Sequence, residues 1–341
     1  MCNLAGYVGR ERAAPILVGM MGRQEGFGGG YYTGIATVAD GKLHVRKVVG
    51  DLVTLLEETD AAELPGTVGI IHSRSKSGGD VEYGHPFVDA SGELAYVANG
   101  HIGFYEDQGD PQRLVAELES AGMTFRSLVH GTVGCYPSLP DGRTVHLSEI
   151  TAMLIGRAMR ASGDPLEAMR RAYLEYPGEI VGLAVHSQHP GSVFAARFNQ
   201  PLTSGQGETG MFMATTALAF PDEGIDWLGS IPPCTAARIG SDGITMLPFR
   251  EQRGTVAETM PWAEGTKAVL EELDTQDCCG IGALKNATAS LWPKEKAPQK
   301  DRLVYEILHS LAQQGRVRFE DRRVPGVLEG THAPFRVAAG I

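Results

Sequence analysis

Several things are scarce in this chain of 341 residues. Cysteine occurs five times, at 2, 135, 234, 278 and 279. An odd number without regular spacing is not a disulfide framework, so a reducing cytoplasm is expected. Cys278-Cys279 lacks the C-x-x-C metal spacing and is read as structural. Basic residues are outnumbered, and the net charge of −11 argues against non-specific binding to nucleic acid or anionic membranes. Long apolar runs are missing too. The charge-free window at 180–196 is broken by Ser, Gln, His, Pro and Gly, so no membrane span is expected. Arg10, Glu11 and Arg12 fall where the apolar core of a secretory signal would lie. No internal repeat and no low-complexity segment is visible.

What is plentiful is glycine, 44 residues, which foretells tight turns and close backbone approaches. Short apolar runs at 35–38 and 43–45 flank Ala39-Asp40-Gly41-Lys42, a strong hairpin signal. Residues 67–72 and 94–98 read as buried strands, and 52–59, 110–122, 148–161 and 166–176 as helices, with Ser148 as the N-cap of the third. Strands recur at 180–186, 192–197, 211–214, 236–239 and 244–247. Strand clusters with helices between them, without strict βαβ alternation, predict an α+β protein of layered antiparallel sheets. A boundary is expected near 250–265, in the polar run Glu251-Gln252-Arg253-Gly254-Thr255. Helices at 266–273, 281–292 and 301–314 and a hairpin of 316–323 with 334–338 follow it. Three helices and a hairpin suggest a winged-helix-like domain. Its acids and bases nearly balance, so partner docking or lid packing is favoured over DNA reading.

The chemistry begins at Cys2, followed by Asn3-Leu4-Ala5-Gly6-Tyr7-Val8-Gly9. Removal of Met1 would leave a thiol and a free α-amine on one residue. The thiolate is the nucleophile, and an α-amine titrating near ~7.7–8.0 can take up a proton at neutral pH. Nucleophile and base on one residue define the N-terminal-nucleophile arrangement. Alone, Cys2 reads sooner as a small residue in a buried first strand. Two further segments change that. His72-Ser73-Arg74-Ser75-Lys76-Ser77-Gly78-Gly79, closing at Gly84-His85-Pro86, would form a loop at a strand end, where an arginine can grip a carboxylate through paired hydrogen bonds. Asn99-Gly100-His101-Ile102, directly after a strand ending at Ala98, offers an amide and a backbone N–H for an oxyanion hole. The later segment Ala195-Ala196-Arg197, Pro201-Leu202, Gly205-Gln206-Gly207 and Phe212-Met213-Ala214-Thr215 is read as two strands with a connection, architecture rather than chemistry.

In this order the motifs resemble class II glutamine amidotransferase domains, most nearly the glutaminase domain of glucosamine-6-phosphate synthases, over about residues 2–220. The resemblance implies a four-layer αββα N-terminal-nucleophile hydrolase sandwich at 1–252, with the winged-helix-like domain at 264–341. It implies hydrolysis of the glutamine side-chain amide through a γ-glutamyl thioester, with ammonia released to a separate synthase partner. Cys2 would be the nucleophile, Asn99 and the Gly100 N–H the oxyanion donors, and Arg74 the group that binds the substrate carboxylate. Ser75 and Ser77 would help to position substrate, and His85 would support the loop. The chain departs from the family at Ser75, where a Trp is usual, at Gly78, where a His is usual, and in Gly29-Gly30-Tyr31-Tyr32-Thr33-Gly34. An insertion at about 128–146 leaves Leu147 where the family has the Asp that holds the substrate amine, so Asp141 or Glu149 would have to take that part. Another amide than glutamine stays open. So does a retired module of this fold that binds a ligand or partner, which a retained Met1 would favour. His72, His85 and His101 are too scattered for a metal site, no cofactor is called for, and a homo-oligomer stays open.

Overall fold

The computed structural model describes residues 2–101, 111–136, 138–249, 260–292 and 298–341. Its first sheet is built around two strands buried on both faces. In β1 (Asn3–Gly9), Leu4 and Val8 point into one core while Ala5 and Tyr7 point into another, as the two-residue period of a strand requires. The sheets approach closely at Gly6, where a Cβ would stand 3.1 Å from Leu183 Cδ1 of the facing sheet and that side chain would have to shift. α1 (Ala13–Gln24) packs on the outer face. No helix was expected there, because Pro15, Gly19 and Gly22 interrupt the pattern. Pro15 sits in the first turn, where no N–H partner is lost. β2 (Tyr32–Ala39) and β3 (Lys42–Val48) form the expected hairpin, with Asp40 and Gly41 both left-handed at φ 50° and 69°. α2 (Leu52–Glu58) is capped by Asp51, which accepts the Thr54 N–H at 2.9 Å. β4 (Val68–Arg74) lies between β1 and β2.

The second sheet starts with β5 (Phe87–Val88) and β6 (Leu94–His101). α3 (Pro111–Ser120), the small pair β7 (Val129–His130) and β8 (Arg143–Thr144), α4 (Leu147–Ser162) and α5 (Pro165–Glu175) follow. α4 is capped by His146, whose Nδ1 accepts the Ser148 N–H at 3.1 Å, and not by Ser148, which already lies in the helix. β9 (Glu179–His186) and β10 (Ser192–Arg197) join β6 in the second sheet. The chain then crosses to the first sheet for β11 (Thr203–Gly207), β12 (Gly210–Ala214) and β13 (Ile225–Ser230), and returns for β14 (Thr235–Gly240) and β15 (Gly243–Pro248). The segment expected as two strands and a connection is therefore three strands in two sheets. Arg197 is fully buried and donates to the carbonyls of Ile231 (2.7 Å) and Asn199 (3.2 Å).

The strand orders are β13-β11-β12-β1-β4-β2-β3 and β15-β14-β10-β9-β6-β5. One core fills the space between the sheets, one lies under α1 and α2, and one lies under α3, α4 and α5. Antiparallel sheets back to back, each covered by helices, make four layers.

The polar run expected as a boundary lies outside the described residues at 251–255, and α6 (Trp262–Thr275) begins inside the remainder of that stretch. β16 (Cys279–Gly280) leads into α7 (Ile281–Ala287), which stops short of the helix expected to reach 292 and passes into a tight turn at Ala289–Leu291. α8 (Pro298–Gln313), β17 (Val317–Pro325) and β18 (His332–Gly340) complete the chain, with the strands in the order β16-β18-β17. These elements have their own core, into which Phe27 inserts from the first part of the molecule. The Arg336 N–H donates to the Gly26 carbonyl at 3.0 Å, Arg323 pairs with Asp51 at 2.8 Å, and Lys76 donates to the Gly326 carbonyl at 2.9 Å.

Candidate active site

Strand alternation assembles the site. Val68 and Ile70 of β4 face the inter-sheet core, so His72 and Arg74 follow on that face. Ala95 and Val97 of β6 face the same core, which directs Asn99 back toward β1 and β4. The three strands meet at Cys2, which precedes β1.

The Cys2 thiol is half-buried. Its Sγ lies 3.4 Å from the donating Ser75 N–H and 3.6 Å from Ser75 Oγ. Burial, the largest single influence, raises its pKa. The neighbouring His72 imidazole, the positive charge of the chain's α-amine and the Ser75 N–H together outweigh burial and bring it down to about 6. A thiol shifted this far is largely thiolate at neutral pH.

Asn99 and Gly100 do not follow the strand, which was expected to end at Ala98. They continue β6, opposite Val181 and Ile180 of β9. The correction has a physical cause: Gly100 takes φ 119°, so the strand can run on through an Asn-Gly pair that elsewhere would turn. The Asn99 amide donates to the Cys2 carbonyl at 2.8 Å and to Thr215 Oγ1 at 3.0 Å, while its Oδ1 lies 3.0 Å from His72 Nε2. Asn99 therefore stands behind Cys2.

Arg74 is 2 % exposed. Its guanidinium lies on the Tyr32 ring, 3.6 Å from the centroid, and donates to the Gly78 carbonyl at 2.6 Å and to the Tyr136 hydroxyl. Ser75 and Ser77 are linked through their hydroxyls at 3.2 Å. His85 is buried against His72, ring centroids 4.0 Å apart, and against His146 at 5.0 Å. Burial, reinforced by the neighbouring imidazoles and by the charges of Arg74 and Lys47, holds the His85 imidazole well below its usual range, and His146 likewise, so both are neutral.

Cys2, Arg74, Ser75, Ser77, His85 and Gly100 line one cavity of about 430 Å³, together with Tyr96, Cys135, Tyr136, His146, Leu147, Thr151 and Tyr176. Neither acid expected to replace the family's Asp enters it. Asp141 is near the surface, held by Arg143 at 2.8 Å. Glu149 is buried in the first turn of α4, where it accepts the Arg126 and Ser127 N–H groups at 2.8 and 3.0 Å and so fixes the preceding loop. Leu147 lines the cavity instead.

Sequence reasoning missed Tyr32, Tyr136, Thr215 and His146. The period-two pattern of the strands could have flagged Tyr32 as a neighbour of Arg74, since the two are register partners. Tyr136 comes from the insertion, which has no periodicity to read.

A cysteine at the head of a central strand, opening on a cavity between two helix-covered antiparallel sheets, defines the N-terminal-nucleophile amidotransferase fold. Solved structures agree. Glutamine phosphoribosylpyrophosphate amidotransferase from B. subtilis, complexed with ADP and GMP, superposes with a TM-score of 0.59 at 18% identity, over 85% of this chain and 64% of that one. A second structure, described as the allosteric regulatory enzyme of purine biosynthesis, gives 0.60 at 17% identity, over 85% and 63%. At such identities the likeness is one of fold. No family model matches the chain. Among curated proteins, the isomerizing glutamine–fructose-6-phosphate aminotransferase of Streptomyces coelicolor is 30% identical over 344 residues, covering 100% of this chain and 49% of that protein. Its counterpart in Leifsonia xyli subsp. xyli is 33% identical over 289 residues, covering 80% and 43%. The chain belongs to the class II glutamine amidotransferases. It spans half or less of the length of these relatives.

Proposed function

We propose that this chain hydrolyses the side-chain amide of glutamine and releases ammonia for transfer to an acceptor bound by a separate synthase. The observation that carries the reading is a thiol brought to about 6 that shares a cavity with a buried, aromatic-backed arginine. The Cys2 thiolate attacks the amide carbon. Asn99 and the Gly100 N–H take the developing oxyanion, Asn99 by releasing one of its present acceptors, since catalytic hydrogen bonds are often incomplete before substrate arrives. The α-amine freed by loss of Met1 supplies the proton with which ammonia leaves. Water then cleaves the thioester, giving glutamate and the free thiol. Arg74 holds the substrate carboxylate in a charge-assisted pair. Ser75 and Ser77 border the amide, and His85 packs the loop that carries them.

Residues 1–252 are read as the glutaminase-like domain and 264–341 as a winged-helix-like domain. The helix and strand order of the latter and its three-stranded sheet support that reading. Its contacts to Gly26, Asp51 and Lys76, close in sequence to the elements that carry the site, favour packing or partner docking. Among the described residues no helix is long and apolar enough to cross a membrane, and the five cysteines are free. Both suit a cytoplasmic enzyme.

The test is intact-mass analysis before and after treatment with a glutamine-analogue diazoketone. Loss of Met1 and one adduct mapped to Cys2 are expected. A retained Met1 with no adduct would overturn the reading.

A further inference from the structure

His72 is fully buried on β4, and the scheme above uses it only as a neighbour that helps to bring down the Cys2 thiol. Its Nε2 lies 2.9 Å from the Ala98 carbonyl oxygen and 3.0 Å from Asn99 Oδ1. A carbonyl oxygen only accepts, so Nε2 must carry hydrogen. The same logic fixes Asn99 from its other end. The Cys2 carbonyl also only accepts, so the Asn99 nitrogen must face it, at 2.8 Å. The Thr215 hydroxyl takes the second amide hydrogen at 3.0 Å and also accepts the Leu4 N–H at 3.0 Å. One proton arrangement satisfies the whole chain, from His72 through Asn99 to the main chain of Cys2. The His72 ring itself packs on His85, with ring centroids 4.0 Å apart and planes tilted by 40°. Turning the Asn99 amide over would set two acceptors against each other at the Cys2 carbonyl and two donors against each other at His72. In a buried site each such mismatch is unfavourable.

We propose that His72 is a positioning residue for the glutaminase reaction: its Nε2–H fixes the Asn99 amide, and through it the carbonyl of the nucleophile residue. The proposal rests on the function proposed above, and it assigns His72 no contact with substrate. Removing the Nε2 donor lets Asn99 rotate and Cys2 drift from its line of attack, and a displacement of about 1 Å can cost ~100-fold in rate.

Side-chain geometry supplies the test. Glutamine places its amide nitrogen where Nε2 of histidine lies, whereas asparagine places it near Nδ1. Glutamine hydrolysis by His72→Asn is expected to lose kcat by roughly 10–100-fold with KM held within about threefold. His72→Gln is expected to recover at least ~10-fold of that loss. Equal kcat in the two variants, or a loss confined to KM, would overturn the proposal. Nitrogen NMR of the wild-type protein provides an independent reading of the ring: a slowly exchanging Nε2–H is expected, and an Nδ1–H tautomer at His72 would sink the idea even if neither variant folds. A wild-type protein that leaves glutamine intact would remove the proposed function, while the NMR result would still decide the ring's role as a donor to Asn99.

Discussion

The two walls of the cavity are made differently. One is sheet: Cys2, Arg74 and Gly100 line it at the ends of β1, β4 and β6, with His72, Asn99, backbone ladders and packed cores behind them. The other is loop and helix end: Ser75 and Ser77 after β4, Cys135 and Tyr136 from the insertion, and His146 and Leu147 at the start of α4. The strand wall is over-determined, since shifting any of its residues would break a ladder or a core. The loop wall is held by a few side-chain contacts, chiefly from the Tyr136 hydroxyl and the Gly78 carbonyl to Arg74. Bond-breaking groups on rigid elements and substrate contacts on adaptable ones allow the amide chemistry to persist while the occupant of the pocket changes.

Four experiments break or sharpen this contrast. Cys2→Ser strikes the strand wall, and glutaminase turnover should fall by ~10³-fold or more. In the wild type, the rate of Cys2 alkylation followed against pH should rise with a midpoint near 6, because the thiol's pKa is depressed and the reactive thiolate is lost as pH falls through that value. A midpoint in the ordinary range of 8 to 9 would mean that the strand wall does not activate its thiol.

Arg74→Lys strikes the junction of the walls. A lysine cannot reproduce the fork that reaches Tyr136 and Gly78 while lying flat on Tyr32. KM for glutamine should rise roughly 10–100-fold, with kcat changed far less. A loss in kcat alone would place Arg74 in the chemistry instead of in binding.

Tyr136→Phe touches only the loop wall and keeps its packing against Tyr83 and His146. KM should rise by about threefold to tenfold, the worth of one hydrogen bond to a charged group at a partly open site. An effect as large as that of Arg74→Lys would show the loop wall to be as rigid as the sheet.

The strand wall was the legible one. Leu4, Val8, Ile70 and Val97 announce buried strands by type, and Asp40-Gly41 announces its hairpin, because side-chain alternation and left-handed turns are local properties. Where local signals competed, reading failed. Gly19 and Gly22 concealed α1, whose stability comes from packing on β1 and β4 and not from propensity. β6 was expected to end at Ala98 and runs on through Asn99-Gly100, because β9 pairs across it. Ser148 looked like a cap, yet His146 does the capping from within an aromatic cluster that includes Tyr83, His85 and Phe87.

By itself the sequence determined a thiol at position 2, the residue types that flank it, and the order of strands and helices that carries them, since these follow from composition, spacing and backbone preference. Tertiary structure alone decided that His72 would point its Nε2–H at Asn99, that an insertion would bring Tyr136 to Arg74, and that Leu147 and neither Asp141 nor Glu149 would face the cavity. Hydrogen bonds between residues 27 to 62 positions apart in the chain, and the facing of one helix start, depend on how the layers stack, and no local pattern records that.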